Sequence, residues 1–297
     1  MINRRRAPTS KVSSNKKKLG HKIEKEFANL IMGTVIPGTQ KADVLDENGN
    51  EYSVKSGKKW QIFLYSYDRI KRSKYLKCLI SSLDSFPLSF DDYNLDRIKC
   101  ISHKEKLIQL HGREYAKKIT NETIIENLGT NKYVESKYRL SNETKKLCEK
   151  LKNNDFLKNF LCEAIFNINE VQFISIKDTH YKCDGTFHIF HKNEVLDIFS
   201  DAFVPSTSKA GKTPEDFNVD GQKTLLRYNK DGKFKNIIEI EIRNDSKSKY
   251  KQVRFNMYSK DTLFLLLGKK LKTNTKIIND TRLIFYGFAN EYSKSNH

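Results

Sequence analysis

The sequence predicts an α/β fold, and three observations carry that prediction. A helical apolar period opens the packed part of the chain, with Leu19, Ile23, Phe27 and Leu30 three or four residues apart. Short extended stretches follow it, and then a second helical period. A helical middle segment leads into a strand-rich C-terminal region. With 18 Phe and 14 Tyr the chain has the apolar material for a packed interior, which excludes global disorder.

In chain order, residues 1–18 carry seven cations and no acid, interspersed with Pro8, Ser10, Ser13 and Ser14, and read as a disordered basic arm. The first helix is expected over 19–32, ended by Gly33. Extended stretches are expected at 34–36, 42–45 and 51–56. Between the last two, Glu47-Asn48-Gly49-Asn50 contains Asn-Gly, a strong hairpin-turn signal. Residues 58–81 lack Pro and Gly, and Trp60, Phe63, Leu64 and Tyr67 recur at helical spacing, so a second helix is expected there. Residues 84–135 suggest loops and short helices, and 141–166 two helices joined near Asn153-Asn154. Strands are expected at 171–176, 185–190, 194–199, 235–242, 253–257, 263–267 and 283–288, with an exposed loop over 205–220. The implied domains are the arm, a core over 19–170 with a helical insertion, and a region over 171–297 that completes the sheet.

Lys and Arg number 55 against 36 Asp and Glu, a formal charge of +19 and a pI near 9.5. Such an excess on a folded surface points to a polyanionic partner, nucleic acid above all. Cations cluster at Lys58-Lys59, at Lys71-Arg72 with Lys74 and Lys77, and at Lys249, Lys251 and Arg254. The last set is interleaved with Tyr250, Phe255 and Tyr258, as a DNA surface requires. No apolar run reaches the roughly 18 residues of a membrane span. No apolar stretch follows Arg4, Arg5 and Arg6, so a secretory signal is not expected. The five cysteines form no CxxC pair, which argues against a zinc site or a disulfide framework and for a reducing, cytoplasmic setting.

Phosphodiester cleavage needs a divalent metal, an attacking water and a cation near the developing charge. A bent hairpin supplies these compactly: an Asp on one strand, then an acid and, two residues on, a Lys on the same face of the next. Asp43 and Lys55 occupy such places on either side of the Asn-Gly turn. A second arrangement competes. Asp184-Gly185 precedes one expected strand, and Glu239 and Glu241 alternate on another, opposite Ile238, Ile240 and Ile242. Alternation of that kind more often marks a half-buried strand with its acids in water. His188 and His191 are expected to be strand and turn residues.

Four pieces, taken together, resemble the PD-(D/E)xK nuclease superfamily. Gly20-His21-Lys22-Ile23-Glu24 looks like its GxxxE helix, Lys41-Ala42-Asp43 its Pro-Asp position, Ser53-Val54-Lys55 its (D/E)xK tripeptide, and Gln61-Ile62-Phe63-Leu64-Tyr65 its QxxxY signature on a following helix. The resemblance covers about residues 19–68. It implies a restriction-endonuclease-like core of helix, mixed sheet and helix. Asp43 would bridge metal and scissile phosphate, the Val54 carbonyl would be a further ligand, and Lys55 would orient the attacking water. Gln61 and Tyr65 would support the site. The metal expected for a carboxylate, carbonyl and water set is Mg²⁺. The chain departs from the pattern at Ser53, where an acid is expected. Glu24, then Asp68, then Glu51 are candidates to replace it. The implied activity is type II restriction of double-stranded DNA, with a cognate DNA methyltransferase protecting the host and a homodimer for cutting two strands. A structure-specific or repair nuclease and a non-catalytic DNA-binding protein are the alternatives.

Overall fold

A computed structural model of the chain describes residues 10–38, 41–85, 131–168, 170–179, 185–209, 220–244, 251–268 and 282–286. Among these, the fold is mixed α/β with seven α-helices and two sheets. The helices are α1 (Ser10–Leu30), α2 (Tyr67–Arg72), α3 (Ile80–Asp84), α4 (Asn131–Leu151), α5 (Asn154–Leu161), α6 (Lys192–Ala202) and α7 (Ser259–Gly268). The strands are β1 (Thr34–Val35), β2 (Val44–Leu45), β3 (Glu51–Lys55), β4 (Lys59–Ser66), β5 (Phe173–Lys177), β6 (Phe187–His191), β7 (Val204–Thr207), β8 (Lys223–Lys230), β9 (Lys233–Asn244), β10 (Lys251–Tyr258) and β11 (Leu283–Tyr286). The first sheet has the order β1-β2-β3-β5-β6-β11 and the second β4-β10-β9-β8-β7.

The chain divides into two compact units. The first comprises Met1–Trp60, Leu161–Asp201 and Met257–His297, the second Gln61–Phe160 and Ala202–Asn256. Each unit therefore draws on both sides of the linear boundary at 170. In the first unit the sheet is mixed. β1, β2 and β3 form an antiparallel meander, β5 runs parallel to β3, β6 antiparallel to β5, and β11 parallel to β6. Strands β5, β6 and β11 thus do complete the sheet that the hairpin begins.

Helix α1 covers one face of that sheet. Ile23, Phe27 and Ala28 pack on Val44, Tyr52, Val54, Phe173, Phe187, Ile189, Leu283 and Phe285. Phe27 is fully buried, edge-on to Tyr52 at 5.4 Å between ring centres. The apolar period was legible from Ile23 onward, but Leu19 is exposed. The helix also takes in residues 10–18, assigned above to the disordered arm; no Pro or Gly separates Ser10 from Gly20, and lysine sustains helix well. Residues 1–9 of the arm lie outside the described residues. At the other end Met32, with φ 52°, takes the left-handed position. Gly33 is needed for room instead: a Cβ there would stand 2.6 Å from the Leu45 carbonyl oxygen.

Three expected elements take a different secondary structure. Residues 58–81 are not one helix: 59–66 are strand β4, with Trp60, Ile62 and Tyr65 buried and Lys59, Gln61 and Ser66 exposed. Its Trp, Ile, Phe and Tyr are strand formers, and a mixed apolar run does not separate the two periods. Ser66 then caps α2, its hydroxyl accepting the Arg69 N–H at 3.4 Å. Residues 194–199 and 263–267, expected as strands, lie in α6 and α7. In α6 the buried Val195, Leu196 and Phe199 follow a helical period; in α7 a continuous apolar run suits a buried helix as well as a strand. The break between α4 and α5 falls where expected, with the Asn153 side chain accepting the Phe156 N–H at 2.8 Å.

In the second unit the hairpin β8–β9 turns at Asp231-Gly232, both with positive φ, as a two-residue hairpin loop requires. Strand β8 was not expected from the sequence, and Pro205 and Thr207 of the expected loop belong to β7, paired antiparallel with β8. No helix among the described residues is long and apolar enough to cross a membrane.

His191 stands at the start of α6. Its Nδ1 accepts the Asn193 N–H at 3.2 Å, and its ring lies edge-on to Phe173. Burial, helped by Lys192, pushes its pKa down to about 4 from 6.5. The folded value lies below the unfolded one, so this stability is complete above pH 6.5 and is lost as the pH falls from 6.5 toward 4. Between pH 7 and pH 4.5 the wild type should lose about 2 kcal/mol more than His191→Asn, allowing for solvent screening. Urea unfolding of both proteins at the two pH values checks this; equal losses would contradict it.

Candidate active site on the β2–β3 hairpin

The site begins with the turn. Asp46, 8% exposed, accepts the N–H groups of Asn48 (2.9 Å) and Asn50 (2.8 Å), the Asn50 side-chain amide (2.8 Å) and the Tyr52 hydroxyl (2.9 Å). Gly49 takes φ 81° at the tip. This fixes the pairing Val44↔Tyr52 and Leu45↔Glu51. Asp43, just before β2, also donates its N–H to the Tyr52 carbonyl at 2.8 Å.

Side chains alternate across a strand. Tyr52 and Val54 face α1, so Glu51, Ser53 and Lys55 face the other side of the sheet. Asp43, next to the inward-facing Val44, falls on that side as well. Its Oδ2 accepts the Val54 N–H at 2.7 Å, the Lys55 ammonium at 3.1 Å and the Ser53 hydroxyl at 3.2 Å. The Val54 N–H, which a longer β2 would have bonded with a carbonyl, is held by a carboxylate instead. Lys55 Nζ also donates to the Val54 carbonyl at 3.2 Å. Asp43 Oδ1 has no partner among the described residues. The Asp43 and Lys55 side chains are 22% and 13% exposed, so the pair is partly screened from water yet reachable.

Of the residues singled out in the sequence, Asp43, Ser53, Val54 and Lys55 thus meet. Glu24 does not join them; its carboxylate bonds His21 Nδ1 at 2.8 Å. Gln61 and Asp68 are in the second unit, both exposed, Gln61 on β4 and not on a helix. Tyr65, also on β4, is buried against Phe63 and Phe255. Lys58 is exposed, and Lys59 bonds the Tyr258 hydroxyl and lies over its ring. Lys249, the Lys251 side chain and Asp184 lie outside the described residues.

The competing acids prove to be a charge network. Glu239 is buried, not solvated: it accepts from Lys223 (3.2 Å) and Asn256 (3.5 Å), because Ile237, Ile238 and Ile240 beside it are buried too and both faces of β9 are covered. Glu241 pairs with Lys223 at 3.3 Å and with Arg254. Burial works against the Lys223 charge, but Glu241 and Glu239 outweigh it and raise its pKa. Arg254, expected to contact DNA, is committed at least in part to Glu241.

Lys41 and Glu51 make contacts near the hairpin that the sequence did not show. Lys41, 3% exposed, reaches the carbonyls of Glu163 (3.4 Å) and Ala164 in the π-helical turn Cys162–Phe166, and its N–H donates to Glu170 Oε1 at 3.5 Å. Glu51 is pinned by its backbone, its N–H donating to Gln172 Oε1 at 2.7 Å and its carbonyl accepting the Gln172 N–H at 3.1 Å. Its Oε2 is buried without a hydrogen-bond partner. Burial, and then Glu170, push its carboxyl above the ordinary range. A lysine two residues before the Asp, and an acid two before Ser53, were the only sequence signals for either.

The donors at the hairpin are all oxygen: Asp43 Oδ1, the Val54 carbonyl and the Ser53 hydroxyl. That chemistry fits a hard divalent ion such as Mg²⁺, although Ser53 withholds the second charge. Among the described residues no three His, Cys, Asp or Glu side chains gather closely enough to hold a metal by themselves. Comparison of the chain with family models, with curated proteins and with solved structures finds no match in any of the three.

Proposed function

We propose that this chain is a Mg²⁺-dependent deoxyribonuclease of the type II restriction class, cutting double-stranded DNA from the β2–β3 hairpin. The observation that carries the reading is the convergence of Lys55, the Val54 N–H and Ser53 on one oxygen of Asp43, with the other oxygen left for a ligand. The order of elements is in keeping with it: helix α1, a three-stranded meander and a later strand parallel to β3, although strand β4 stands where the resemblance implies a helix. The charge of +19 supports a polyanionic substrate.

In this reading Asp43 and the Val54 carbonyl hold the ion. When bound, Mg²⁺ supplies Lewis-acid activation of the scissile phosphate and of the attacking water. Lys55, held against Asp43 and Val54, orients that water and offsets negative charge on phosphorus as the bond to the leaving oxygen breaks. Asp43 keeps the ammonium aimed. DNA is positioned by basic residues outside the hairpin, with Lys58 and Lys59 nearest in sequence. Cutting two strands calls for two such sites, hence a homodimer, and a restriction enzyme calls for a cognate methyltransferase in the cytoplasm that shares its recognition sequence. One observation favours a second reading, a DNA-binding protein without catalysis: the Ser53 hydroxyl, where an acid is expected, is spent on Asp43.

With supercoiled plasmid and Mg²⁺, Asp43→Ala and Lys55→Ala should each cut at least ~100-fold more slowly, about 2.7 kcal/mol of barrier. DNA affinity in Ca²⁺ should change little. Cleavage by Asp43→Ala within about tenfold of wild type would move the chemistry elsewhere. Digestion of a sequenced phage genome should give discrete ends if the enzyme restricts, and a smear if it is a general nuclease.

Affinity for a duplex should fall steeply with salt, because each phosphate contact releases condensed counterions. A footprint of about six contacts gives a slope near −5 in log K against log salt, measured by fluorescence anisotropy in Ca²⁺. A slope near zero would remove DNA as the partner.

A further inference from the structure

We infer that Glu51 supplies the carboxylate missing at Ser53, so that Asp43, the Val54 carbonyl and Glu51 together hold the divalent cation. The inference rests on the nuclease reading for its purpose, but its geometry stands apart from it.

Glu51 shares the sheet face of Ser53 and Lys55, by alternation along β3. Across the hairpin it pairs with Leu45, and Asp43 lies two residues before Leu45. Glu51 and Asp43 are therefore diagonal cross-strand neighbours, with Cα atoms roughly 7–8 Å apart. An Asp at position 53 would have faced Asp43 more directly. A glutamate one pair further along is longer by one methylene, and that length works against the diagonal. Two oxygens on one Mg²⁺, each about 2.1 Å from it, need be only some 3–4 Å apart. Glu51 is partly exposed, but one oxygen of its carboxylate is shielded from solvent. Its Oε2 is buried and bonded to nothing.

The surroundings explain what is lacking. Glu170 lies close enough to push the Glu51 carboxyl up, and the bonds to Gln172 fix the backbone from which Glu51 projects. Lys55 and the Ser53 hydroxyl both donate to Asp43 rather than to Glu51. A buried carboxylate oxygen with no donor, diagonal to the Asp43 carboxylate, is completed by a cation. The rival acids are placed less well. Glu24 bonds His21, and Asp68 is exposed.

The test uses the full chain with Mn²⁺ as probe, its binding followed by electron paramagnetic resonance, alongside plasmid nicking in Mg²⁺. Glu51→Gln should weaken Mn²⁺ binding by ~10- to 100-fold and slow nicking to match, while Glu24→Gln and Asp68→Asn stay within about threefold of wild type. Without metal, Glu51→Gln should melt no lower than wild type, since it removes an unsatisfied buried charge. Glu51→Asp keeps the charge and loses the reach, and should also bind Mn²⁺ more weakly. It serves if the Gln variant does not fold. Wild-type affinity for Mn²⁺ in both Glu51 variants overturns the inference, as does a wild-type chain that binds no Mn²⁺. A wild type that binds Mn²⁺ through Glu51 but never nicks DNA would leave the metal site standing and sink the nuclease reading instead.

Discussion

The carboxylate of Asp46 holds four hydrogen bonds at the β2–β3 turn, and the register of the hairpin follows from them. Because side chains alternate with a period of two, a slip of one residue would send Lys55 into the α1 face and bring Val54 out in its place. The Tyr52 hydroxyl ties the same turn to the core, since Tyr52 also stacks on Phe173 at 4.9 Å and meets Phe27. One buried acid thus couples the turn, the core under α1 and the placement of Asp43 against Ser53, Val54 and Lys55. Strand β2 extends no further than Val44 on the Asp43 side, and the Val54 N–H goes to the Asp43 carboxylate.

The hairpin was the most legible part of the sequence, for physical reasons that apply only there. Asn-Gly names its turn chemistry, and the alternation from Tyr52 to Lys55 fixes two faces once one is apolar. Helix α1 was legible through Ile23 and Phe27, because a helix on a sheet must show a continuous apolar stripe. The stretch around Gln61 was misread because Trp60, Phe63, Leu64 and Tyr67 satisfy a helical spacing by accident of a strand whose inward phase shifts midway. Leu263 to Leu266 gave no period at all. Asp231-Gly232 carried the same turn signal as Asn48-Gly49, but the strands flanking it are rich in Lys, Arg and Asn, which hid their alternation.

Charge placement was the least legible. Lys41, Glu239 and Arg254 all look like surface residues in sequence, and all are drawn into carbonyl or carboxylate partners. A buried charge demands a partner whose position only the fold reveals, since the members of each group lie on different elements. The consequence for the site is direct. The acid expected beside Lys55 could be sought in sequence only by spacing, which favoured Glu24, whereas burial and the lack of a donor single out Glu51.

The interleaving of the two units bears on how the protein comes into being. The sheet that holds the hairpin needs β5 and β6 from the middle of the chain and β11 from well beyond the second unit. During synthesis β3 emerges long before its parallel neighbour β5, and an unpaired strand edge must wait while the intervening segment is made. Pairings of such sequence separation form slowly, because loop closure precedes the contacts that reward it. The second unit lies within two spans of the chain and does not need β11, so it is free to close first, and the hairpin, however early it forms, gains its finished surroundings last.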